Sequence, residues 1–156
     1  LNTETKDHVS SDLKDRLKAD LIAARKARDK ARTLVLSTVL ADIRYKEIDL
    51  RADVGDDAVI EVLSKGIKQR KDASEQMRAA DRAELADVED AQAVVLAEYL
   101  PEGMSEDEVR ALVRAAIADG ADQMGALMGR LMPQIKGRFD GKEANRIVRE
   151  ELADGA

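Results

Sequence analysis

Cysteine is absent from this 156-residue chain. Disulfides, thiolate metal sites and a cysteine nucleophile are thereby excluded, and a reducing compartment is the expectation. The single histidine, His8, falls in a polar, aperiodic stretch at residues 1–9 that reads as a disordered arm. A Ser–His pair or a His-ligated metal needs a histidine held by packing, which such an arm does not supply. Aromatic residues are scarce: Tyr45, Tyr99 and Phe139 are the full set, too few for a base-stacking platform. No apolar run approaches the roughly 20 residues that cross a bilayer, and the polar start does not read as a signal peptide. A soluble, cytoplasmic protein is the expectation. Phosphate-binding loops of the G-x-x-x-x-G-K-[ST] and G-x-G-x-x-G kinds and D-x-D metal loops are missing too, so neither a cofactor nor a metal is expected.

What remains is an aliphatic, highly charged chain, 44% hydrophobic and 37% charged with two prolines. That mixture favours an all-α fold. Ser10 or Ser11 can cap a first helix whose Leu13, Leu17, Leu21 and Ala24 recur at helical spacing. A second helix, entered through Ala27-Arg28-Asp29-Lys30 and running to about Asp49, turns Leu36, Val39, Leu40 and Ile43 to one side. After the turn at residues 53–57, with Asp56 or Asp57 as N-cap, a long third helix carries Val59, Val62, Leu63, Ile67, Ala73, Ser74 and Met77 to Ala79. Asp81-Arg82 breaks it, and a fourth helix from Ala83 is expected to turn Leu85, Val88, Val95, Leu96 and Tyr99 inward.

Pro101 disfavours helical geometry at Leu100, which sets an expected domain boundary between residues 10–100 and 101–156. Beyond it Ser105 and Glu108 match a capping box ahead of Val109, Leu112, Val113, Ala116 and Ile117, and Asp119-Gly120 ends that helix. A short helix from about Asp122 carries Met124, Leu127, Met128 and Leu131, with Pro133 disturbing its end. Asp140 with Glu143 caps a last helix holding Ala144, Ile147, Val148 and Leu152. The expectation is an N-terminal domain of about four helices and a small three-helix tail domain.

The net charge of −6 conceals a strongly polarised distribution. Residues 14–32 hold eight basic side chains against three acidic, every charged residue from Glu84 to Glu108 is acidic, and residues 122–149 hold six basic against three acidic. In the tail, Lys142, Arg146 and Arg149 are spaced by four and three and so share a helix face. Just before them Lys136-Gly137-Arg138-Phe139-Asp140-Gly141 sets two cations in a glycine-flanked loop leading into a helix N-terminus, where free N–H groups and cations can face a phosphate; Arg130 can join it. Gly125 and Gly129 form G-x-x-x-G in an amphipathic helix. This is either a seat for a neighbouring helix or a smooth surface against which a backbone can lie. On the third helix Lys65, Lys68, Lys71 and Arg78 make a second basic patch, while Arg70, nearer the apolar stripe, suits a structural pairing with a carboxylate of the acidic fourth helix. Each cluster also has a plainer reading, as the solvated face of a helix.

The run Met124-Gly125-Ala126-Leu127-Met128-Gly129-Arg130-Leu131-Met132-Pro133-Gln134-Ile135-Lys136-Gly137-Arg138-Phe139-Asp140-Gly141 resembles the tail signature of the GatB/YqeY family. Ile67-Lys68-Gln69-Arg70-Lys71-Asp72 and Glu98-Tyr99-Leu100-Pro101 agree with it, and the resemblance extends from Leu13 to Leu152. The family comprises stand-alone proteins, the C-terminal region of the B subunit of the glutamine-dependent tRNA amidotransferase, and an appendix on some glutaminyl-tRNA synthetases. The resemblance implies a helical region followed by a three-helix tail that touches the outer corner of tRNA. Its implied partners are tRNA and, second to that, an aminoacyl-tRNA synthetase or amidotransferase, with neither DNA nor a membrane. The implied contact residues are Gly125, Gly129, Arg130, Lys136, Gly137, Arg138, Gly141, Lys142, Arg146 and Arg149. Arg138 and Phe139 depart from the smaller or basic residues common in that loop. Carbon–nitrogen ligase activity with glutamine as amide donor is a label of the whole amidotransferase; this chain has neither an amidase core nor a kinase-like ATP site, and the label is not carried over. The alternative is a protein-interaction domain that docks a tRNA-synthesis enzyme through the acidic 84–108 region or the Gly125/Gly129 face.

Overall fold

The computed structural model describes residues 11–155; the expected arm, His8 and the proposed cap Ser10 lie outside them. Among the described residues there are seven helices and no strand. They gather into two compact units, one closing at Leu100 and the other opening at Pro101.

In the first unit α1 (Asp12–Lys26) starts at Ser11, whose Oγ accepts from Lys14 N at 3.1 Å. Leu17, Leu21 and Ala24 form its buried stripe. Arg28 takes a left-handed conformation (φ 57°), after which Asp29 caps α2 (Lys30–Leu50) by accepting from Arg32 N. This helix buries Val35, Leu36, Val39, Ile43 and Glu47. Burial works against the Glu47 carboxylate, but the hydrogen bond and charge of Lys14 outweigh it and hold Glu47 below its usual range. The start of α3 (Asp56–Ala79) differs from expectation. Gly55 occupies the N-cap without a side-chain bond, and Asp56 lies inside the first turn. Its Oδ1 instead accepts from Ser11 Oγ (2.5 Å) and Leu13 N (3.1 Å). A carboxylate of α3 thus serves the free N–H groups at the start of α1, tying two helix ends together.

Helix α4 (Ala83–Ala97) also departs from its pattern. Leu85 and Val88, expected inside, are 46% and 53% exposed, whereas Ala86, Ala93, Leu96 and Tyr99 are buried. Leu96 and Tyr99 are inside as expected, and only the first half of the face is shifted by one residue, where α4 approaches α3 closely: a Cβ on Gly66 would lie 3.3 Å from Leu96 Cδ1. Alanines fit that gap and a row of larger side chains does not. Arg70 spans the same interface, but its partner is not a carboxylate: Nε donates to Gln92 Oε1 at 3.1 Å and Nη1 to the Gly66 carbonyl at 3.0 Å.

The second unit holds α5 (Glu106–Ala118), α6 (Met124–Ile135) and α7 (Gly141–Asp154). Ser105 and Glu108 close a capping box, Ser105 N donating to Glu108 Oε2 at 2.7 Å and Glu108 N to Ser105 Oγ at 3.2 Å. The core is built from Val109, Val113, Leu127, Leu131, Ile135, Ala144, Ile147 and Val148. Helix α6 begins with Gln123 as N-cap and runs through Pro133 to Ile135. A proline so near the end forfeits one bond of the last turn without stopping the helix before the buried Ile135 is in place. No described helix is long and apolar enough to cross a membrane.

Candidate nucleic-acid interface

The surface of the second unit is what its core leaves over. On α6 the buried positions are Leu127, Leu131 and Ile135. At about 100° per residue the opposite face carries Gly125, Ala126, Gly129 and Pro133, and all four are exposed. A Cβ placed on Gly125 or Gly129 would meet nothing within 4 Å. The alternative of a seat for a neighbouring helix is therefore not realised among the described residues. The left-handed glycines are Gly120 and Gly137, so backbone conformation does not demand glycine at 125 or 129 either. Glycine at an interior helix position costs up to about 1 kcal/mol relative to alanine, and no contact within the unit compensates that cost. Met132 is exposed beside this face, and its Cε comes 3.9 Å from a Cβ placed on Gly141. The glycine face thus adjoins the start of α7.

Between the two helices Gly137 adopts φ 71°, a turn that glycine makes without the steric cost of a Cβ. Arg138 is a staple in this loop. Its carbonyl accepts from Met104 N at 2.9 Å and its Nε donates to the Glu102 carbonyl at 2.8 Å, joining the loop to the segment that leads into α5. Phe139 packs against the core, and Lys136 is half-buried. The expected free N–H groups at the start of α7 are occupied: Asp140 Oδ1 accepts from Lys142 N at 2.7 Å and from Glu143 N at 3.2 Å. The chain's own carboxylate fills the helix N-terminal anion position. An incoming phosphate must be met by side chains.

Spacing places Lys142, Arg146 and Arg149 on one face, yet their surroundings differ. Arg146 donates from Nη1 to Glu150 (2.7 Å) and from Nε and Nη2 to Glu143 (3.0 and 2.9 Å), with Glu106 3.2 Å from Nη2. Arg110 of α5 binds Glu106, Glu150 and Glu151, and Arg114 binds Glu151 through two nitrogens. These hydrogen bonds raise the guanidinium pKa values of Arg110, Arg114 and Arg146 and lower those of Glu106, Glu150 and Glu151. The network fastens α5 to α7. Sequence reasoning passed over Glu151, which is 6% exposed; the available signal was its position, four and three residues beyond Ile147 and Val148 on the buried stripe. Lys142 and Arg149 are exposed and outside this network. By helical angle they lie near the middle of the exposed face of α7, opposite the buried Ala144, Ile147, Val148 and Glu151. Arg130 is about half exposed, 3.7 Å from Asp119.

In the first unit Lys65, Lys68 and Lys71 are exposed along α3. Arg78 does not extend their charge, because Asp87 (3.0 Å) and Asp90 (2.7 Å) of α4 neutralise it while it donates to Ser74 Oγ. The Ser74 hydroxyl first, then Arg78, holds the Asp90 carboxyl below its usual value. A cleft of about 440 Å³ between α2 and α3 is lined by residues including Asp42, Tyr45, Lys46, Glu61 and Lys65. Among the described residues no cluster of histidine, cysteine or carboxylate side chains could hold a metal ion.

Comparison with known proteins gives concordant results. A family model described as Yqey-like protein matches residues 14–152. The chain is 30% identical over 141 residues to a protein of Pyrenophora tritici-repentis named altered inheritance of mitochondria protein 41, mitochondrial, covering 86% of this chain and 78% of that one. A protein of Lachancea thermotolerans with the same name is 34% identical over 85 residues, covering 54% of this chain and 46% of the relative. An uncharacterized protein of Schizosaccharomyces pombe is 36% identical over 89 residues, covering 57% and 72% respectively.

Proposed function

The chain belongs to the Yqey-like protein family, and from that premise we propose that its second unit is a tRNA-binding accessory module. It lays the glycine face of α6 against the sugar-phosphate backbone of a folded tRNA. The observation that carries the reading is the pair of exposed helix glycines, Gly125 and Gly129, with open space where each Cβ would be. Side-chain-free helix surface lets a bulky backbone approach closely. Lys142 and Arg149 supply phosphate contacts beside it, and Lys136, Arg130 and the outer edge of Arg138 extend the basic rim. Arg146 and Gly141 contribute by position, Arg146 holding α5 to α7 and Gly141 keeping the junction with Met132 slim. The GatB/YqeY resemblance, in which the amidotransferase tail touches the outer corner of tRNA, supports the same surface. Lys65, Lys68 and Lys71 form a separate and weaker patch. The module binds and positions; chemistry is performed by a synthetase or amidotransferase acting on the same tRNA. Relatives named for mitochondria are compatible with this role, because tRNAs are charged in that organelle as well as in the cytoplasm.

Phosphate contacts dominate such an interface, so affinity falls with salt in proportion to the phosphates neutralised. Labelled tRNA is titrated with the chain at two salt concentrations, using wild type, Lys142→Glu and Arg149→Glu. Each reversal should weaken binding and flatten the log–log salt slope by about one unit. Absence of binding at low salt, or binding indifferent to salt, refutes the proposal. RNA binding unaffected by the reversals, with capture of a synthetase that Gly129→Leu abolishes, favours the protein-docking alternative.

A further inference from the structure

We propose that the solvent face of α2 is a self-association surface on which a second copy of this chain lies parallel, α2 against α2. Helix α2 buries Val35, Leu36, Val39, Ile43 and Glu47 against the rest of the first unit. On the opposite side Leu34, Thr38, Ala41, Tyr45 and Ile48 follow one another at spacings of four, three, four and three, and all five are exposed. Leu34, Tyr45 and Ile48 expose 59%, 67% and 58% of their surface. A spacing that averages 3.5 residues is the seam of a two-stranded coiled coil. The helix is thus apolar on two sides, of which the first unit uses one.

The flanking charges select the occupant. With Leu34, Ala41 and Ile48 at d positions and Thr38 and Tyr45 at a positions, the e positions are Val35, which is buried in the first unit, and the exposed Asp42 and Asp49. The g positions are Ser37, Arg44 and, at the helix end, Arg51. In a parallel pair each g residue faces the e residue of the partner's following heptad, which sets Arg44 against the partner's Asp49 twice over by symmetry. An antiparallel pair brings e to e and g to g, acid against acid and base against base. The surface is therefore complementary to itself in one orientation, as a two-fold interface requires. Neither Arg44 nor Asp49 is held in an ion pair among the described residues. Two heptads are too few for a free peptide, which must order itself in order to pair. Here α2 is already formed by packing on its other side, and that ordering cost is absent.

The test is sedimentation of the full chain over a wide concentration range, with circular dichroism confirming that each variant keeps its helices. The wild-type mass should move from 17.1 kDa toward twice that value as concentration rises. Arg44→Glu and Asp49→Arg, each turning two attractive pairs repulsive, should weaken association by about tenfold. An equimolar mixture of the two variants should regain wild-type affinity, because each then faces its opposite. The chain contains no cysteine, so Ile48→Cys reports orientation: a parallel pair oxidises to a disulfide-linked dimer. A chain that stays at 17.1 kDa at every concentration overturns the proposal, as would be the case if the face accepts only a helix of another protein. Failure of the mixture to recover, or of Ile48→Cys to cross-link within a dimer that does form, overturns it equally.

Discussion

Replacing Gly129 by alanine should stabilise the second unit while weakening its grip on RNA. Gly129 is inside α6, exposed, and free of any atom within 4 Å of a new Cβ; its backbone is not left-handed. No steric or conformational cost thus opposes the helix-propensity gain of about 0.8–1.0 kcal/mol. For a unit of this size that corresponds to a rise in melting temperature of roughly 4–8 °C. Gly125 lies in the first turn of α6, where fewer backbone bonds depend on helical geometry, and its gain should be smaller. The stability measurement is amide hydrogen exchange of α6 together with a calorimetric scan of the full chain. The functional measurement is tRNA titration at low salt, where Gly129→Ala should lose several-fold in affinity and Gly129→Leu nearly all of it. A fall in stability on Gly129→Ala would mean that the Cβ does not enter open space. A stabilised Gly129→Leu with undiminished tRNA affinity would remove the glycine face from the interface. The first result refutes the structural premise and the second the functional one.

Two further outcomes follow from buried polar groups. Glu151 accepts from both Arg110 and Arg114, and these bonds hold its carboxyl below the usual value. A depressed acid stabilises the fold above its unfolded pKa, a contribution lost as pH falls through the folded value. Glu151→Gln should therefore destabilise the second unit at neutral pH, with the difference from wild type closing under acid in urea titrations; a pH-independent difference contradicts the ion-pair account. Burial, then the 2.5 Å bond to Asp20, pushes the Tyr99 phenol up to about 12, while Arg32 works in the opposite direction. Its contribution is complete below the unfolded value near 10 and is lost as pH rises toward about 12. Urea unfolding across that range should show a steeper loss of stability in wild type than in Tyr99→Phe, and identical slopes would exclude Tyr99 as the cause.

Local pattern was enough for the helices and their ends. Spacing of leucine and valine placed the stripes of α1, α2 and α3, Ser105 with Glu108 announced a capping box, and the run from Met124 to Gly141 carried the family. These features depend on neighbours within a turn or two, which a sequence states directly. Other properties needed the fold, because they depend on which partner arrives from elsewhere. The close approach of α4 to α3 at Gly66 turned Ala86 inward and Leu85 outward. The Asp56 carboxylate serves the start of α1 rather than its own helix, and the Arg78 guanidinium is paired with Asp87 and Asp90. Within the basic face of α7, sequence alone could not separate Arg146, drawn into carboxylates of α5 and α7, from Lys142 and Arg149, which remain open to solvent. Composition also could not say whether Gly125 and Gly129 pack against a helix or face solvent. Only the tertiary arrangement decided that, because emptiness beside a backbone is a property of everything that packs elsewhere.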